Sequence, residues 1–137
     1  MTIAVLIGFS CSAFAGLFDF YYSSGQMDHK QYEFTISQGD MLRTPVWASD
    51  ADFPPLSPRK AQEIARQQMQ ELRGGAKPQW ELRETTIADL GDGTHFVYVI
   101  EFEPPPDGQG CFGCDFMRLL VLMDGTVAKA TVKPLLT

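Results

Sequence analysis

The sequence predicts an α+β fold in two layers, with one main helix packed on an antiparallel meander sheet. Three observations carry that prediction. Between residues 57 and 75 apolar residues recur at steps of three and four, and a Gly-Gly pair closes the stretch. Residues 94 to 103 alternate, with Phe96, Tyr98, Ile100 and Phe102 on one side and His95, Val97, Val99 and Glu101 on the other. Residues 116 to 133 read as two strands joined by Asp124-Gly125, a strong hairpin turn. Consecutive strands with short turns favour antiparallel neighbours. One helix then lies across the aromatic face of the sheet.

Taken in order, residues 1 to 15 read as a signal segment. Residues 16 to 31 have no sustained period and read as a flexible lead-in. Residues 32 to 137 form the single domain. Tyr32 to Ile36 alternates and is a short strand. Gly39-Asp40 turns the chain, and Met41 to Trp47 reads as a second extended piece that Pro45 confines to an edge. Ser57 caps the main helix, and Pro58 suits its first position because the missing N–H has no partner there anyway. Ala61, Ile64, Ala65, Met69 and Leu72 make its apolar stripe. Gly74-Gly75 ends it, with Arg73 in the last turn, where a cation is favoured. Strands follow over 80 to 90, 94 to 103, 116 to 123 and 126 to 133.

The N-terminal run up to Phe18 carries no charged side chain and leads into Ala13-Phe14-Ala15, an A-x-A cleavage pattern. The reading is a cleaved secretory signal, although no Lys or Arg marks its start. A buried strand or helix and an uncleaved anchor are the alternatives. Export places the mature chain in the periplasm or outside the cell, with no membrane span after cleavage. It also removes Cys11 and leaves Cys111 and Cys114 as a pair, which an oxidising compartment favours as a disulfide. The net charge of -6 with no basic stripe argues against nucleic acid, because phosphate contacts need clustered Lys and Arg.

Residues from Leu56 to about Ala130 resemble the PepSY group of extracytoplasmic domains. LSPRKAQEIARQQM looks like the opening helix of that family, THFVYVIEFE like its aromatic strand, and LLVLMDGTV like its closing strand, turn and strand. The resemblance implies a PepSY or cystatin-like fold and a secreted binding or regulatory module. It carries no catalytic residue. Residues 104 to 115 depart from it as a long loop, and residues 30 to 55 as an added strand region.

That loop, PPPDGQGCFGCDF, is the chemically pointed feature. A redox CxxC places its first Cys at a helix N-terminus, where the dipole lowers the thiol pKa. Here the motif runs straight into a strand, beside Asp115 and Asp107. A structural zinc site wants four ligands. Only His29 and His95 could supplement the two thiols, unless a second chain brings another pair. A local disulfide is the preferred reading. Closing so short a loop stabilises by about 2 kcal/mol. It stiffens a tip that presents Phe112, flanked by Pro105 and Pro106, as a contact point for a protein partner. The alternative is a thiol-redox or metal-binding role for Cys111 and Cys114.

Other candidates read as structural. His95 sits on a sheet face. Glu101 and Glu103 share one side of a strand that runs out to solvent. Gly91-Asp92-Gly93 is a turn that lacks the Lys and helix of a phosphate loop. No catalytic set, cofactor or metal site is assigned, and the expected role is binding, with no enzymatic activity.

Overall fold

The computed structural model describes residues 19–106 and 114–135. Six strands and two helices make up the fold. Strands β1 (Asp19–Met27) and β2 (Lys30–Ser37) come first, then helices α1 (Gln38–Arg43) and α2 (Pro58–Leu72). Strands β3 (Glu81–Asp89), β4 (Phe96–Glu103), β5 (Phe116–Leu122) and β6 (Ala130–Pro134) follow. The strands form one antiparallel sheet in the order β3-β4-β5-β1-β2-β6.

This corrects the expected architecture of one main helix on a meander. The molecule is dominated by its six-stranded sheet, and the sheet is not a meander. β3, β4 and β5 follow one another in space as in sequence, and so do β1 and β2, but the two runs are joined out of sequence order. β1 and β2 then intervene before β6. The pairing also returns on itself. Leu122 N–H donates to Thr126 O at 2.8 Å and Ala128 N–H to Leu120 O at 3.0 Å, so residues 126–128 run along β5. The same strand continues as β6 and pairs with β2, while β1 pairs with β5 through Gly25 and Gln26. β1, β2 and β6 therefore curl back onto the edge of β5.

The expected lead-in holds β1, which pairs with β2 from Tyr21↔Ile36 to Met27↔Lys30. Its period was hidden because the inward positions include Ser23 and Gly25, while outward Tyr22 is 52% exposed. Gly25 is small for a reason. A Cβ there would sit 2.5 Å from Met117 Sδ and 2.8 Å from Phe116 O. The Asp28-His29 turn that follows takes both residues to positive φ.

Residues 38–43, expected as a turn and an extended piece, form α1. Ser37 builds a capping box: its Oγ accepts from Asp40 N–H at 3.1 Å, and Asp40 Oδ2 accepts from Ser37 N–H at 3.1 Å. Six residues are too few to show a helical period.

α2 lies where its stripe placed it. Ser57 Oγ accepts from Lys60 N–H at 3.2 Å and Pro58 opens the first turn. Ala61, Ala65 and Met69 are buried, with Ile64 and Leu72 packed beside them. The helix crosses β3, β4 and β5 on the face that carries Tyr98, Ile100 and Phe102. Tyr98 OH donates to Leu56 O at 2.5 Å, which pins the segment before the helix. On the opposite face, Val97, Leu120 and Leu122 are also buried. Both faces of the β4–β5 pair therefore belong to the core, which is why residues 119–122 read as a continuous apolar run. Among the described residues, no helix is long and apolar enough to cross a membrane.

Candidate functional site

The site begins with spacing on α2. Arg66, Met69, Gln70 and Arg73 are three, four and seven residues apart, so they share one side of the helix. Gly74 and Gly75 then stop the helix with φ values of 59° and 75°, in the left-handed region that glycine enters at no steric cost. The chain turns back through Ala76 and Lys77 to Trp80, at the start of β3. Phe102, near the end of β4, lies beneath. These elements enclose a half-open pocket of about 320 Å³.

Its walls differ in chemistry. Met69 and Phe102 are buried and Trp80 is half-buried, which makes an apolar floor. Arg66, Arg73 and Lys77 line the pocket, Gln70 and Gln79 add amides, and none of the lining residues is acidic. Arg66 and Lys77 form no ion pair among the described residues, whereas Lys60, Arg83, Arg118 and Lys133 all do. In a chain of net charge -6, cations held apart from carboxylates make a local positive patch.

Arg73 is the most constrained of the three. Its Nη1 donates to Ala76 O at 3.1 Å and also to Pro78 O. Its guanidinium carbon lies 5.6 Å from the centre of the Trp80 ring, a cation–π arrangement. Its Nε is buried and has no hydrogen-bond partner among the described residues. A buried donor without an acceptor costs about 1–3 kcal/mol.

The sequence-based candidates fall elsewhere. Cys111 and Phe112 lie outside the described residues, and so does the proposed Cys111–Cys114 disulfide. Pro105 is half-buried, while Pro106 and Cys114 are exposed. Both roots of the loop stand beside the pocket floor, since Phe102 pairs with Met117. Pro105 is three residues beyond Phe102, within about 11 Å along the chain.

His95 is buried and bonded to Asp92. Asp92 Oδ1 accepts from His95 N–H at 2.8 Å and Thr94 N–H at 2.9 Å, and Asp92 Oδ2 meets His95 Nδ1 at 2.5 Å. These donors, the His95 backbone N–H foremost, hold the Asp92 carboxyl well below the usual carboxylate range. Asp89 Oδ1 accepts from Gly91 N–H and Gly93 N–H at 2.8 and 3.1 Å. The turn is thus tied together by its own carboxylates. Glu101 and Glu103 each meet an arginine, Arg118 at 2.8 Å and Arg83 at 3.1 Å, so they are not a free carboxylate pair. Among the described residues, no group of three or more His, Cys, Asp or Glu could hold a metal.

From the sequence, Arg73 reads as a helix-end cation and Trp80 as the opening of a strand, while Arg66 and Lys77 carry no signal of their own. The one signal available was Arg66 to Arg73, two turns apart with Met69 between them. That spacing puts two cations and a core residue on one side, but only the fold brings Trp80 and Phe102 to meet them. Comparison of the chain with protein-family models, curated proteins and solved structures returns no match.

Proposed function

We propose that the chain is an exported, non-enzymatic binding module that captures an amphipathic anion at the open end of α2. One observation carries this reading. Arg66, Arg73 and Lys77 surround an apolar floor from which every carboxylate is missing, in a chain whose net charge is negative. A pocket of about 320 Å³ falls within the range of small-molecule sites and equally admits the end of a peptide. Export rests on the N-terminal apolar run and its A-x-A pattern. Loop 104–115 leaves and rejoins the sheet next to the pocket, which supports a role for Pro105 and Pro106 in meeting the same partner. The Cys111–Cys114 disulfide of this reading would stiffen that loop.

Exposed charges contribute modestly, about 0.2–1 kcal/mol each, so the floor must provide much of the affinity. The probe 8-anilinonaphthalene-1-sulfonate combines an anionic group with an aromatic body. The full chain should bind it with a fluorescence rise that salt weakens. Arg66→Ala/Lys77→Ala should weaken it about two- to thirtyfold without changing the melting temperature. Unchanged affinity in the double variant would sink the reading.

A further inference from the structure

Arg73 and Trp80 give the pocket a narrower chemistry than a positive patch alone, and this inference rests on the binding reading above. Both hydrogens of Arg73 Nη1 are directed at the carbonyls of Ala76 and Pro78. The guanidinium is thereby held over the Trp80 ring. Its remaining edge, the Nε and Nη2 N–H groups, has no acceptor among the described residues, and Nε is buried. That edge carries two parallel donors, the geometry that matches the two oxygens of a carboxylate, with Nε covered until the side chain shifts.

Position decides between anions. The pocket stands at the C-terminal end of α2, where the helix dipole amounts to about half a negative charge. Phosphate-binding helices use the opposite, positive end. Here the dipole opposes a dianion about twice as strongly as a monoanion. The floor of Met69, Trp80 and Phe102 meanwhile rewards an apolar body attached close to the charge. We propose that the pocket takes a monocarboxylate joined to an apolar body. Arg73 tilts off the indole to offer its free edge to the carboxylate, and the apolar body settles on Met69, Trp80 and Phe102. Two sources share that chemistry: a small aryl-alkyl acid, and the C-terminal carboxylate of a peptide with an apolar last residue.

The test titrates the isotopically labelled full chain and follows the Arg73 Nε–H and Trp80 indole N–H resonances. The probes are 3-phenylpropionate, N-acetyl-Gly-Gly-Phe with a free C-terminus, the carboxamide of each, and inorganic phosphate. The expected result is movement of both resonances with an acid, at least about tenfold weaker binding of its carboxamide, and no response to phosphate. The tighter of the two acids identifies the source. Arg73→Lys keeps the charge but not the paired donors, and should lose about tenfold for the acids while still binding the sulfonate probe. The carboxamide comparison uses the unaltered chain and so does not depend on that variant folding. Equal binding of acid and carboxamide, or a phosphate response matching the acid, overturns the carboxylate assignment and leaves sulfonate capture standing. Should neither the acids nor the sulfonate probe move these resonances, the carboxylate assignment and the binding reading fail together.

Discussion

Gly25 shows how tightly single residues are set in this fold. A methyl group there would press on the Met117 side chain and on the Phe116 carbonyl, and the latter belongs to backbone that cannot yield cheaply. Gly25→Ala should therefore lower stability by about 1–3 kcal/mol, read as a lower urea midpoint with an unchanged slope. Asp92 sets a pH dependence. Its folded-state pKa lies below the unfolded value, so its contribution is complete above about pH 4 and is lost as pH falls further. Asp40, lowered first by the Ser37 backbone N–H, acts in the same direction. The unfolding midpoint of the wild-type chain should fall as pH drops from 5 to 2, with the acid loss starting at about pH 4. Asp92→Asn cannot take up that proton, so its curve should be lower at neutral pH and flatter in acid. Parallel curves for the two proteins would show that Asp92 does not drive the acid loss.

At the scale of elements, what was legible depended on where each element buries its side chains. α2 announced itself because a cap, a proline and five apolar residues at helical spacing all agree. β4 did so through its alternation of aromatic residues. β1 was missed because its inward positions carry a serine and a glycine, chosen for close approach to β5 rather than for hydrophobicity. α1 was missed because its capping box is a local hydrogen-bond exchange with no periodic trace. The pocket was missed because its parts come from the end of α2, the start of β3 and the end of β4. Two deletions separate these roles. Removing residues 19–27 strips β2 of its main partner and uncovers the edge of β5, so the chain should lose its dispersed NMR spectrum. Removing residues 105–114 takes out only chain beyond the paired ends of β4 and β5, so the spectrum should persist while partner capture weakens. Unfolding on the second deletion would make the loop structural and remove it from the binding surface.

Across the whole molecule, the curl of β1, β2 and β6 onto β5 gives the β4–β5 pair two buried faces, and α2 covers one of them. The pocket opens where that helix ends and the strands run out. The pocket already stands open at the end of the helix, and the one rearrangement the carboxylate reading asks for is a shift of the Arg73 side chain off the Trp80 ring. Exposed Phe53 and Tyr22 lie on other segments, outside the pocket lining. They offer a clear alternative place for an apolar ligand to settle. The thiol account is separable from the pocket account: native mass short of the reduced mass by two hydrogen atoms marks the proposed disulfide, and an unshortened mass removes it.

The most direct measurement maps the amides that shift when 8-anilinonaphthalene-1-sulfonate is added to the labelled full chain. The account predicts that the largest shifts run from Arg66 to Trp80 and include Phe102. Shifts centred on Phe53 or Tyr22, with residues 66–80 unmoved, would contradict it.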